Sequence, residues 1–127
     1  MVVPPTDQDE ACAFYVEDLW FQQVQDFTYE TGERWLEVAP PGSTISLTLV
    51  YARPERQAGV ETGIVFACRE VRDALEALRA TGVRTDPDLL PVGVVTWWAG
   101  APLAGQPDQF RVVDPDGNSL LVVADLG

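Results

Sequence analysis

Ala11, Phe14, Tyr15 and Leu19 recur at helical spacing behind Asp7-Gln8-Asp9-Glu10. Asp7 and Glu10 have the spacing of a capping box, with Asp in place of the usual Ser or Thr. One apolar stripe of this kind predicts a helix over about Asp9 to Asp18. From Phe21 to Glu30, Phe21, Phe27 and Tyr29 alternate with polar residues while Val24 breaks the phase, which predicts a strand carrying a bulge. Thr31-Gly32 turns the chain, Arg34 to Ala39 reads as the next strand, and Pro40-Pro41-Gly42 ends it. Ile45, Leu47, Leu49 and Tyr51 then alternate with Thr44, Ser46, Thr48 and Val50 as a third strand.

Ala52 to Val60 is polar, carries Pro54 and Gly59, and suits a connection between two halves. Beyond it the pattern repeats. Thr62 to Cys68 reads as an apolar strand, and Glu70 to Thr81 as a helix with the stripe Val71, Ala74, Leu75 and Leu78, stopped by Gly82 at a natural C′ position. After a loop rich in proline and aspartate, strands are expected over Val92 to Trp98, Gln109 to Val113 and Ser119 to Ala124. Asp114-Pro115-Asp116-Gly117-Asn118 joins the last two as a tight hairpin. The second half is thus strand, helix and three strands, and the first half matches it if Val2-Val3 is the stump of an opening strand. Pro4 and Pro5 require that strand to be short or at an edge. The expected class is α+β: one domain made of two strand-helix-three-strand (βαβββ) modules, 1–52 and 60–127.

A chain of 127 residues is long enough for one core and too short for two independent ones. It has no apolar run near the ~20 residues that span a bilayer. Its first residues lack the basic segment and apolar core of a secretory signal. The cytoplasm is therefore the expected location, with Cys12 and Cys68 reduced. Eight arginines, no lysine and twenty acidic residues give a formal net charge of −12. That balance leaves no basic face for nucleic acid; its plain reading is solubility, the alternative a field that steers cations from a distance. There is no histidine, which removes the usual neutral-pH acid–base group and the commonest ligand of zinc, iron, nickel and copper.

The doubled module, with DQDEACAFY opening the first helix, RWLEVAPPG in the middle and FRVVDPDGNSLLVV at the end, resembles the glyoxalase/bleomycin resistance/extradiol dioxygenase (vicinal oxygen chelate) superfamily. The resemblance implies that each half curls its strands into a U-shaped mixed-sheet cup whose concave face carries four metal-ligand positions in the metal enzymes. Those positions fall just before Met1 and on Ser46, Gly63 and Leu121. Glycine and leucine offer no side-chain ligand, and one serine hydroxyl cannot hold a divalent ion against water. The expectation is a metal-free branch with no cofactor, to which glyoxalase I, extradiol dioxygenase and metal-dependent epimerase chemistry are foreign.

The same resemblance puts Thr44, Ser46, Thr48 and Val50 on the concave face, with Gly63, Val65, Ala67, Ser119, Leu121 and Val123 from the second half. These would line an apolar cavity with a few hydroxyls, as small-molecule sites are lined. Trp20, placed where relatives commonly have glycine, is either a core plug or a wall of the cup. Trp35, in RWLEVAP, is expected to pack in the core. Adjacent strand residues face opposite ways, so one of Trp97 and Trp98 needs a ligand or a second copy of the chain to cover it. Residues 99–108 form a long connection, either a lid or a tolerated insertion. Glu37, Glu61, Tyr29, Tyr51 and Arg111 are candidate polar anchors, against the plainer reading of charged residues as solvated strand edges or surface ion pairs. The expected ligand-binding set is Trp20, Trp97, Trp98, Ser46, Thr48, Glu37, Tyr51 and Leu121.

Three functions follow. The first is a homodimeric small-molecule binding protein that sequesters an aromatic or cationic antibiotic or metabolite without metal. The alternative is a cofactor-free isomerase, cyclase or lyase of natural-product metabolism, using Glu37 or Glu61 as a base raised in pKa by burial. A third is an accessory subunit that has lost its chemistry.

Overall fold

Asp7 caps the first helix by accepting the Glu10 backbone N–H on its carboxylate at 3.0 Å, one half of the expected box. The computed structural model describes residues 2–54, 57–90, 97–103 and 108–124. Helix α1 (Gln8–Ala13) widens into a single π-type turn over Phe14–Asp18. It stops where Leu19 N–H donates to the Phe14 carbonyl and Phe21 N–H to that of Tyr15. The predicted stripe is the buried one: Ala11, Phe14 and Tyr15 lie in the core.

Four strands, β1 (Val2–Val3), β2 (Gln22–Thr28), β3 (Arg34–Ala39) and β4 (Leu47–Leu49), form a sheet in the order β1-β4-β3-β2. β1 runs parallel to β4, and the other pairs are antiparallel. The opening strand is both short and at an edge, as its two prolines require. The register slips between Gln23 and Gln25, so Val24 marks the bulge that its phase break predicted. Val3, Leu36, Val38, Leu47 and Leu49 are fully or almost fully buried on the face that α1 packs against. Strand alternation puts Trp35, Glu37 and Thr48 on the opposite face. β2, the other edge, is exposed along its whole length.

The second unit repeats this plan. β5 (Glu61–Cys68) leads into α2 (Val71–Ala80), which buries Val71, Leu75 and Leu78. Two hydrogen bonds close α2, Val83 N–H to Leu78 O at 3.0 Å and Gly82 N–H to Arg79 O at 3.1 Å. This Schellman motif needs the positive φ of 86° that Gly82 takes. β6 (Arg84–Thr85), the hairpin of β7 (Trp97–Trp98) and β8 (Ala101–Pro102), β9 (Gln109–Val113) and β10 (Ser119–Ala124) follow. The main sheet has the order β5-β10-β9-β6 with β5 parallel to β10. In each module, then, the strands lie in the order first, fourth, third, second.

One expectation needs correcting. The strand beside β9 is β6, not a strand ending at Trp98; Trp97–Trp98 instead pairs with Ala101–Pro102. Residues 92–96 of the expected strand lie outside the described residues. Two residues of strand carry no alternation to read, and β6 is fixed from its end: Asp86 N–H donates to Arg111 O at 3.2 Å, while Arg111 N–H donates to an Asp86 carboxylate oxygen at 2.8 Å.

Contacts divide the chain into Met1–Gly59 with Asp114–Asn118, and Val60–Val113 with Ser119–Gly127. The turn between β9 and β10 therefore belongs to the first unit, where Asp114 and Asn118 are wholly buried. One Asp114 oxygen accepts the backbone N–H groups of Asp116 and Asn118 at 2.9 Å each, and the other accepts Tyr15 Oη and Asn118 Nδ2 at 3.1 Å each. Asn118 also donates to the Pro4 carbonyl at 3.1 Å and accepts from Gly59 N–H at 2.8 Å. Gly117 turns the loop at φ 84°, and a Cβ there would come 3.4 Å from the Gly59 backbone. Burial pushes the Asp114 carboxyl above its ordinary range, and the hydrogen bonds from Asn118, Tyr15 and Asp116 pull it partly back.

Candidate functional site

On the face of the first sheet turned away from α1, Glu37 sits between two donors. Trp35 Nε1 donates to one carboxylate oxygen at 2.5 Å, and Ser46 Oγ donates to the other at 2.8 Å. Residues two apart on a strand share a face, so the Trp-Leu-Glu triplet of β3 sets the indole beside the carboxylate. Thr48 is the direct cross-strand partner of Glu37. The hydrogen bonds from Trp35 and then Ser46 hold the Glu37 carboxyl below the usual carboxylate range. This reverses the expectation of a base raised by burial, because two donors to the charged form outweigh its desolvation. Among the described residues no arginine lies within ion-pair distance of Glu37. An anionic carboxylate fixed by neutral donors keeps lone pairs for a further donor from a ligand.

Trp35 is the second correction. It is half-buried on this outer face, not in the core, because the α1-facing positions of β3 are Leu36 and Val38. Its cross-strand partner is Phe27, which meets Tyr29 edge to face with ring centroids 5.0 Å apart. Trp20 is 55% exposed at φ 60°, so the core-plug reading fails. Its backbone is the glycine-like one that the resemblance implied.

Where β3 begins and β4 ends, a cavity of about 510 Å³ opens, lined by Gln8, Tyr29, Arg34, Trp35, Tyr51 and Arg53 among others. Gln8 is tied down by two bonds from its side-chain amide, to Arg34 O at 3.0 Å and Leu49 O at 2.8 Å. Arg34 grips Asp26 with Nε and Nη2, both at 2.8 Å, and Asp9 with Nη1 at 2.6 Å. The guanidinium holds the Asp26 carboxyl low. Arg53 pairs with Glu33 at the rim. Tyr51, one of the candidate anchors, lines this cavity. Gln8, Arg34 and Arg53 were not anticipated, since they come from a helix, a strand end and a loop that carry no shared motif.

The other candidates belong to the second unit. Leu121 is buried and pairs with Val65 on one side and Arg111 on the other. Arg111 is engaged by Asp86 through Nε and through Nη2 at 2.6 Å. Trp98 is 4% exposed and donates Nε1 to Ser119 Oγ at 2.8 Å, whereas Trp97 is 66% exposed. Glu61 accepts the Ala99 backbone N–H at 3.0 Å, bracing the β7–β8 turn, which Ala99 and Gly100 make at positive φ. The first four residues of the 99–108 connection are thus built into this hairpin or its turn, and residues 104–107 lie outside the described residues.

The metal positions implied by the resemblance do not fit an ion. Ser46 is turned to Glu37, position 63 is glycine and Leu121 is an apolar core residue. Among the described residues no group of three or more His, Cys, Asp or Glu side chains is placed to hold a metal. No described helix is long and apolar enough to cross a membrane.

Comparison with known proteins agrees with this architecture. Residues 1–122 match the model of the Glyoxalase/Bleomycin resistance protein/Dioxygenase superfamily. TnmS3, an antibiotic binding protein from Streptomyces sp. CB03234, is similar at 32% identity with a TM-score of 0.76, over 98% of this chain and 91% of that one. A superfamily member from Sphaerobacter thermophilus DSM 20745 superimposes with a TM-score of 0.81 at 26% identity, over 98% and 94%. The uncharacterized protein YetH of Bacillus subtilis (strain 168) is 27% identical over 120 residues, 91% of this chain and 88% of its own length.

Proposed function

Because the chain belongs to the Glyoxalase/Bleomycin resistance protein/Dioxygenase superfamily, whose members include an antibiotic binding protein similar to it over almost its whole length, we propose that it is a small-molecule binding protein. It sequesters an aromatic or cationic antibiotic or metabolite in the cytoplasm, without metal and without turnover. The observation that carries this reading is the Trp35–Glu37–Ser46 arrangement: an indole and an ionised carboxylate on the sheet face turned away from α1. A carboxylate held low by two donors suits a permanent acceptor for a ligand cation better than a proton-abstracting base, which works best near the operating pH. Metal independence is supported by the chemistry of Ser46, Gly63 and Leu121, and by a sequence without histidine. A homodimer suits the exposed Trp97 and the edge strand β2, exposed throughout.

Tryptophan fluorescence titrated with basic glycopeptides, quinoxalines and small carbonyl compounds tests the proposal. Saturable quenching with the compound recovered unchanged upholds sequestration, whereas conversion of any bound compound overturns it. A stoichiometric transition metal in the purified protein overturns the metal-free reading.

A further inference from the structure

The cavity at the start of β3 and the Glu37 carboxylate share one residue. The Trp35 side chain lines the cavity while its N–H donates to Glu37. Three electron-rich rings, Tyr29, Trp35 and Tyr51, border the space. An N–H donating to an anion polarises the indole and enriches its face further, and a face of that kind favours cations. The charges around it point the same way. Arg34 and Arg53 are answered by Asp9, Asp26 and Glu33, and Glu37 adds a carboxylate with no arginine in ion-pair distance among the described residues, so four described carboxylates accompany two guanidiniums. Gln8 has committed its amide hydrogens. Among the described residues the Tyr29 and Tyr51 hydroxyls make no hydrogen bond, which leaves them to contact a ligand. The volume of about 510 Å³ lies in the range of drug-sized sites. Glu37 lies two strand residues from Trp35, roughly 7 Å along the backbone, which is within the width of a fused ring system.

We infer that this cavity takes a planar heteroaromatic cation, its ring against Tyr29, Trp35 and Tyr51 and its N–H edge on Glu37. The inference deepens the sequestration reading and rests on it. It selects one molecule with both properties, a delocalised charge on a flat ring, over a neutral ring or an aliphatic amine.

Two probes of the same shape separate charge from area. 9-Aminoacridine is a planar cation at neutral pH, and acridone is its neutral counterpart. 9-Aminoacridine is expected to bind at least roughly ten-fold more tightly than acridone, and Glu37→Gln to erase most of that difference by weakening 9-aminoacridine far more than acridone. Tyr29→Ala and Tyr51→Ala, both at exposed positions, are expected to weaken both probes by roughly three- to ten-fold with the folded state unchanged by circular dichroism. Equal affinity for the two probes overturns the inference, as does 9-aminoacridine binding that Glu37→Gln weakens but both tyrosine variants leave intact. If neither probe binds while a basic glycopeptide or quinoxaline does, the inference fails and sequestration stands. If nothing in either set binds, sequestration itself fails.

Discussion

Trp35 Nε1 and Glu37 Oε1 lie 2.5 Å apart on adjacent same-face positions of β3, so one strand residue orients and acidifies another. The folded-state pKa of Glu37 is lowered. Its contribution to stability is therefore present above the unfolded value, about 4.3, and is lost as pH falls through the lower folded value. Trp35→Phe removes the larger of the two donors and is expected to move the Glu37 titration midpoint upward, with Ser46→Ala moving it less. Carbon NMR of the Glu37 side-chain carboxyl reads both shifts, and an unmoved midpoint in Trp35→Phe contradicts the assignment.

Asp114 has the opposite sign. Burial raises its folded pKa, so the folded state holds the proton more tightly than the unfolded chain and stability falls as pH rises through that window. Tyr15→Phe removes a donor to the charged form. It is expected to lose about 1.5–3 kcal/mol at a pH above the Asp114 titration, where the acceptor is charged, and about 0.5–1.5 kcal/mol at a pH below it, where the acceptor is neutral. Urea denaturation at the two pH values distinguishes this from a simple cavity effect, which would be the same at both.

Trp20 holds a left-handed backbone with its indole mostly in solvent. A side chain in that conformation costs about 1–2 kcal/mol, and glycine gives back roughly 0.5–1 kcal/mol through its freer unfolded state. Trp20→Gly is therefore expected to raise stability by up to about 1 kcal/mol and to raise the thermal midpoint. A lower midpoint would mean that the indole contributes packing its exposure does not reveal.

Trp97 and Trp98 have opposite fates on one short strand. Trp97→Phe is expected to change stability by less than ~0.5 kcal/mol and to remove part of the acrylamide-accessible fluorescence. Trp98→Phe takes a buried donor from Ser119 and is expected to cost about 1–3 kcal/mol while leaving the accessible fraction of the emission in place.

Periodicity made much of this fold readable. The α1 stripe, the Val24 bulge, the short edge strand behind Pro4 and the stop at Gly82 each follow from one residue type meeting one backbone requirement. β6 was hidden because two residues cannot display a period, and its anchor, the Asp86–Arg111 pair, spans 25 positions. Glu37 was legible as a candidate from its strand face. Its ionisation was not, since that depends on where Trp35 and Ser46 aim their hydrogens. The cavity was least visible, because its walls are drawn from α1, the turn between β2 and β3, β3 itself and the segment after β4, and only folding sets them side by side. The DPDGN segment read as a turn and no more; its burial depends on Tyr15, 99 positions earlier.

That last separation bears on how the chain is made. At the ~5–20 residues per second of synthesis, Asp114 follows Tyr15 by several seconds, and Asn118 follows Pro4 by 114 positions. The cavity-bearing unit closes only when its second piece, Asp114–Asn118, has been made, after most of the other unit. Until the turn arrives, the Tyr15 hydroxyl, the Pro4 carbonyl and the Gly59 amide wait without their partners. A nascent chain halted near Gly59 would display every wall of the cavity and still lack the buried polar centre that locks those walls, so ligand capture should begin only after Asn118 has been made.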